Sequence, residues 1–158
     1  LITLIGSVFF FIPNLSKFNL AQRHKAAKPQ SRKQKTTLCA LVSLCEKKMT
    51  ENDIAKLIVD ASIQIHKELG PGLLETVYEV LLKHELESRG LKVDRQIPIP
   101  INYKGIKFQQ GFKADLIVED KVIIELKSVE TISKAHKKQV LTYLKLTDKK
   151  LGFLLNFG

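Results

Sequence analysis

The stretch from Phe112 to Lys127, FKADLIVEDKVIIELK, decides how this chain folds. It divides into two short apolar segments, Phe112 to Val118 and Val122 to Leu126. Between them Glu119-Asp120-Lys121 has the composition of a hairpin turn. Side chains alternate along a strand, so Glu125 and Lys127 must leave theirs on the same face. The hairpin then brings Asp115 alongside on the preceding strand. Two carboxylates and an amine converge in apolar sequence, where charge is costly unless it is paired or holds a metal.

Two readings of that cluster stay open from spacing alone. In one, Lys127 and an acid form a buried salt bridge at a sheet edge. In the other, Asp115 and Glu125 share a cation, which prevents each from raising the other's pKa. Hard oxygen ligands with open water positions suit Mg²⁺ or Mn²⁺. Such an ion turns a bound water into a nucleophile near neutral pH, and Lys127 could orient that water or offset developing negative charge. The chemistry that needs this set is metal-assisted hydrolysis of a phosphodiester.

Working outward, Thr50-Glu51-Asn52-Asp53 resembles a capped helix start. Ile54, Leu57, Ile58, Ala61, Ile65 and Leu69 follow at helical spacing. Gly70-Pro71-Gly72 ends that helix, and Leu74, Val77, Tyr78, Leu81, Leu82 and Leu86 predict a second, stopped at Arg89-Gly90. Leu91 to Ile101 predicts a strand restricted to an edge by Pro98 and Pro100. Tyr103-Lys104-Gly105 is a turn. Ile106 to Val118 predicts a longer strand, with a possible break at Gly111, and Lys121 to Lys127 the next. Ser133 caps an expected helix to about Leu146, and Lys150 to Asn156 is a last strand. The order is that of an α/β domain whose final helix returns a strand to the sheet.

The 158 residues carry a formal net charge of +10, unevenly spread. Residues 1–48 hold nine of the 26 Lys/Arg and one of the 16 Asp/Glu, which leaves 17 bases against 15 acids in residues 49–158. The remainder is near neutral, so global charge does not by itself argue for nucleic acid. Both cysteines, Cys39 and Cys45, fall in the first part, so residues 49–158 can form neither a disulfide nor a cysteine zinc site. This fits a reducing, cytoplasmic setting.

Leu1 to Ile12 is apolar but short of the roughly 20 residues that span a bilayer, and it lacks the basic start of a secretory signal. Met49 is the only methionine. We expect residues 1–48 to be a non-domain extension, upstream sequence translated in frame, and residues 49–158 to be the domain. The competing account is a membrane-associating or nucleic-acid-binding arm.

From Met49 to Gly158 the chain resembles the PD-(D/E)XK nuclease superfamily, and more narrowly the GxxExxY proteins within it. The resemblance rests on Gly72-Leu73-Leu74-Glu75-Thr76-Val77-Tyr78 after Leu69-Gly70-Pro71, together with Asp115, Glu125 and Lys127. Ala114 stands where the superfamily name has Pro, at a position that tolerates substitution. The resemblance implies a restriction-endonuclease-like αβββαβ core, a mixed central sheet flanked by helices, here preceded by an additional helix. It implies a Mg²⁺- or Mn²⁺-dependent nuclease acting on DNA, with RNA second. Asp115, Glu125 and Glu75 would be metal ligands and Lys127 the residue that activates water. Gln139 and Tyr143, four apart on the last helix, resemble an accessory motif of the superfamily.

Each of these residues also has a plainer reading. Glu75 could be a helix-start acid favoured by the dipole. Gln139 and Tyr143 could be a surface amide beside a half-buried ring. Gly72 is expected to supply a backbone conformation other residues resist, and Tyr78 to be a core residue bonded to a site carboxylate. His66 reads as packed, His84 and His136 as surface residues. The second functional reading is a catalytically inactive nuclease-fold binding or regulatory module acting with a partner protein. A third is an enzyme that needs a protein partner to recognise its target.

Overall fold

The computed structural model describes residues 8–11 and 49–158. Apart from residues 8–11, the readings of residues 1–48 lie outside the described residues. The elements run β1 (Val8–Phe11), α1 (Glu51–Leu69), α2 (Glu75–Ser88), β2 (Val93–Tyr103), β3 (Ile106–Val118), β4 (Val122–Lys127), α3 (Lys134–Thr147) and β5 (Leu151–Asn156). The strands form one mixed sheet in the order β1-β5-β4-β3-β2. Only β4 and β5 run parallel, joined through α3; the other neighbours are antiparallel. This is an α/β, restriction-endonuclease-like fold, and β2 lies at the sheet edge as Pro98 and Pro100 require.

Local chemistry explains where the elements start and stop. Thr50 and Asp53 make a reciprocal capping box at α1, and Ser133 with His136 makes another at α3. Lys104 and Gly105, both at positive φ, give the two-residue β2–β3 turn the backbone twist a hairpin favours. After α2, Arg89 donates to Asp60 at 2.6 Å, Gln64 at 2.9 Å and Glu85 at 2.8 Å, so one guanidinium ties α2 to α1.

The sheet carries a hydrophobic layer on each face. Ile54, Ile58 and Ala61 of α1 and Tyr78, Leu82 and Leu86 of α2 pack on Leu116, Val118, Ile124, Phe153 and Leu155. On the other face Val140, Tyr143 and Leu144 of α3 meet Ile99, Ala114, Ile117, Ile123 and Leu154. Leu116 and Val118 face α1 and α2 while Ile117 faces α3, as alternation demands. Ala114, however, shares the α3 face with Ile117, three residues away. Strict alternation is therefore broken between them, at Asp115.

Candidate active site

The β3–β4 ladder pairs Val118 with Val122, Ile117 with Ile123 and Leu116 with Ile124, then ends. Asp115 and Glu125 would be the next pair. Instead the Leu126 N–H donates to Asp115 Oδ2 at 2.8 Å. The side chain takes a donor the ladder leaves over, and this fixes the Asp115 carboxylate at the point where the strands part.

Glu125 is 2% exposed. Its Oε1 accepts from Lys127 Nζ at 2.8 Å and from Gln139 Nε2 at 2.7 Å. Its Oε2 is buried without a hydrogen-bond partner. Such an orphan carries a desolvation cost with nothing to offset it. Burial first, and the charge of Asp115 second, push the Glu125 carboxyl up to about 7. Asp115 is also raised, by burial above all, against the lowering effects of the Leu126 N–H and Lys127. For Lys127 burial disfavours the ammonium, yet the bond and charge of Glu125 outweigh it and hold the amine above its ordinary value. Lys127 also donates to the Leu126 carbonyl at 2.8 Å.

Glu75 opens α2, and its Oε1 accepts from the Ser128 N–H at 3.0 Å while Oε2 stands 3.9 Å from Lys127 Nζ. Among the described residues no three acids, histidines or cysteines are grouped so as to hold an ion. Glu75 is therefore not grouped with Asp115 and Glu125 on a common centre, although its charge adds to the rise of both. Gly72 has φ +100, a conformation L side chains resist. Tyr78 is wholly buried and stacks on Phe157 at 4.3 Å. Its hydroxyl donates to the Gly70 carbonyl at 2.7 Å and accepts from the Leu73 N–H at 3.2 Å. The expected bond to a site carboxylate is not made; the hydroxyl pins the loop that delivers Glu75. Tyr78 lies one turn inside α2 with its ring in the core, so its hydroxyl meets the backbone before the helix.

Gln139 Nε2 also reaches Tyr143 Oη at 2.6 Å, and that hydroxyl donates to the Lys113 carbonyl at 3.1 Å. The pair thus joins α3 to both carboxylate-bearing strands. Burial raises the Tyr143 phenol above its ordinary value. His66 packs against Phe157, His84 is exposed, and His136 serves the α3 cap.

Two neighbours were not singled out from the sequence. Glu79, one turn beyond Glu75, is buried and accepts from Arg95 Nε at 2.9 Å and Gln96 Nε2 at 2.7 Å. Gln96 has φ +55, and its amide nitrogen also lies 3.4 Å from Asp115 Oδ1. The i, i+4 pair of acids was a visible signal for Glu79. Nothing local marks Gln96, whose role depends on the strand facing it.

Among these residues Asp115, Glu125, Glu75 and Glu79 oppose Lys127 and Arg95. The formal excess is two negative charges, with one carboxylate oxygen orphaned. A hydrated divalent cation fits the Asp115–Glu125 pair, since Mg²⁺ is commonly held by one or two carboxylates and keeps several waters.

Two acids and a lysine lie where two strands of a restriction-endonuclease-like sheet part. The model of the PD-(D/E)XK nuclease superfamily matches residues 52–158, and the chain belongs to that superfamily. Nucleases of this superfamily generally use divalent metal ions. No curated protein and no solved structure matches the chain. Among the described residues no helix is long and apolar enough to cross a membrane.

Proposed function

We propose that residues 49–158 form a GxxExxY-type domain that hydrolyses phosphodiester bonds in nucleic acid, DNA before RNA, in the cytoplasm with Mg²⁺ or Mn²⁺. The observation that carries this reading is the orphaned, buried Glu125 Oε2 beside a second carboxylate of raised pKa. Asp115 and Glu125 would hold the ion, and Glu75 would reach it through water. When bound, the ion would supply charge neutralisation and a water of lowered pKa. Lys127, restrained by Glu125 and Leu126, would orient the attacking water and offset charge on the phosphoryl oxygens. Gln139 would keep the Glu125 carboxylate aimed, with Tyr143 holding Gln139 in turn.

The test is cleavage of labelled single- and double-stranded DNA and RNA with Mg²⁺, Mn²⁺ or EDTA. Wild type should cut only with a divalent ion, and Asp115→Asn or Lys127→Met should lower the rate by roughly 10²-fold or more. Equal cleavage by wild type and variants would trace the activity to a contaminant and defeat the reading.

One observation favours the alternative of an inactive binding or regulatory module working with a partner protein. Lys127, 14% exposed in its side chain, is already paired with Glu125 at 2.8 Å. That pair satisfies one oxygen and leaves the excess negative charge in place, so we rank it second. Mn²⁺ calorimetry separates the two: a scaffold without turnover need not bind the ion.

A further inference from the structure

The β2–β3 hairpin reaches beyond the sheet. β4 pairs with β3 only at Leu116–Val118, yet β2 stays paired with β3 out to Tyr103↔Ile106. The outer segments are thus a two-stranded arm running from its tip directly into Asp115. Between Ile99 and Ile101 the register shifts, with Ile99 opposite Phe112 and Ile101 opposite Phe108. Gly111 sits in this irregularity, and a Cβ there would lie 2.2 Å from Ile101 Cδ1, so the isoleucine side chain folds over the glycine backbone and would have to shift for any larger residue.

The tip is unusual for a surface. Tyr103, Ile106 and Phe108 are 60%, 57% and 51% exposed. The pairs Ile101↔Phe108 and Tyr103↔Ile106 put all four side chains on one face. Along β2 that face continues through Ile99 and Ile97, which pack with α3. It therefore lies on the side of the sheet that carries Gln139, Tyr143 and Glu125. Phe112 bridges the two regions, edge-on to Tyr143 with ring centroids 5.4 Å apart. A shallow hollow lined by Ile101, Phe108, Gln109 and Gly111 opens on the arm itself.

Charge distinguishes among occupants. From Arg95 to Ala114 the chain contains four bases and no acid. Arg95 is engaged by Glu79, whereas Lys104, Lys107 and Lys113 are exposed. Lys104 Nζ lies 5.5 Å from the Tyr103 ring centre. Lys107 and Lys113 alternate with these rings and leave from the opposite face, while Lys104 stands at the turn beside Tyr103. A protein covering the rings would bury Lys104 with no acid on the arm to pair with it. A polyanion with planar faces meets both needs: bases stack on the rings, phosphates meet Lys104, and the lysines of the opposite face add attraction at longer range. Stacking needs a base face that a duplex hides.

We propose that the β2–β3 arm is the binding surface for a single strand of nucleic acid leading to the carboxylate site. The proposal rests on the nuclease reading for the destination of the strand, while binding itself needs no metal. Phe108 to Asp115 is seven residues, or roughly 20 Å along the strand.

The experiment is fluorescence anisotropy in EDTA with labelled oligonucleotides of 4 to 20 nucleotides, single- and double-stranded, across a salt series. Circular dichroism checks that each variant is folded. The double variant Tyr103→Ala/Phe108→Ala should weaken single-strand binding about tenfold or more. Lys104→Ala should reduce the log–log salt slope by about 0.7. Variants that match wild type in both measurements overturn the proposal. So does a wild type that binds duplex as tightly as single strand, or one that binds neither. A fall from dimer to monomer by sedimentation, with oligonucleotide affinity unchanged, would assign the face to a second copy and also overturn it. Hydrolysis of bis(p-nitrophenyl) phosphate by wild type with Mn²⁺ tests the carboxylate site separately. Loss of that activity with arm-dependent binding intact would remove the catalytic reading and leave the arm.

Discussion

Raising the pH from 5 to 8 in EDTA should destabilise this domain, and Glu125 should account for most of the slope. Its carboxyl is pushed from 4.5 to about 7 by burial and by Asp115. An acid whose pKa is higher folded than unfolded favours the folded state when protonated. Its stabilising contribution is full below pH 4.5, declines as the unfolded chain ionises, and is gone once pH passes the folded value near 7. At 1.36 kcal/mol per unit, the shift corresponds to about 3 kcal/mol over that window. Asp115, also raised, adds with the same sign at lower pH. Lys127, whose pKa is raised from an already high value, stays charged folded and unfolded across this range and adds no slope. Urea unfolding followed by circular dichroism at unit pH steps measures this directly. Glu125→Gln removes the titration and should flatten the profile. Parallel profiles for wild type and Glu125→Gln would refute the argument, because the carboxyl would then ionise alike in both states. The same proton gives a second reading: a cation binding at pH 6 should displace close to one proton, detectable as a buffer-dependent heat of Mn²⁺ binding.

Three further outcomes follow from particular contacts. Gly72→Ala should cost about 1–3 kcal/mol in urea unfolding, because φ +100 is strained for alanine while open space surrounds the added methyl. Tyr78→Phe should cost about 1–2 kcal/mol and speed amide exchange at Leu73, whose N–H loses its acceptor, with the ring stack on Phe157 retained. Gln139→Leu should leave Glu125 Oε1 with Lys127 alone, which raises the Glu125 pKa further and moves the acid limb of any metal-dependent activity to higher pH. An unmoved limb would show that Gln139 does not act through Glu125.

Much of this was legible without coordinates. Period-two alternation placed Glu125 and Lys127 on one side, and they meet at 2.8 Å. Helical spacing and the Gly-Pro-Gly break located α1 and α2, and the α1 cap and the Ser133 cap lie where the sequence suggested. Pro98 and Pro100 marked an edge strand, and Gly111 an irregularity. These are properties of short segments, set by backbone sterics and by which side chains can share a face.

The remainder needed segments distant in the chain to be brought together. Tyr78 was expected at a carboxylate and instead holds Gly70 and Leu73, because the ring's direction follows from the core around Phe157. Gln96 and Glu79 reach the site through a left-handed residue on one strand and a helix packed against it. The end of the ladder at Asp115 appears only when β3 is set against β4. Residue pattern alone settles which elements form and which charges share a strand. Which donor each carboxylate receives, and which oxygen is left without one, emerges from packing, because hydrogen bonding within about 3 Å depends on the relative placement of whole elements.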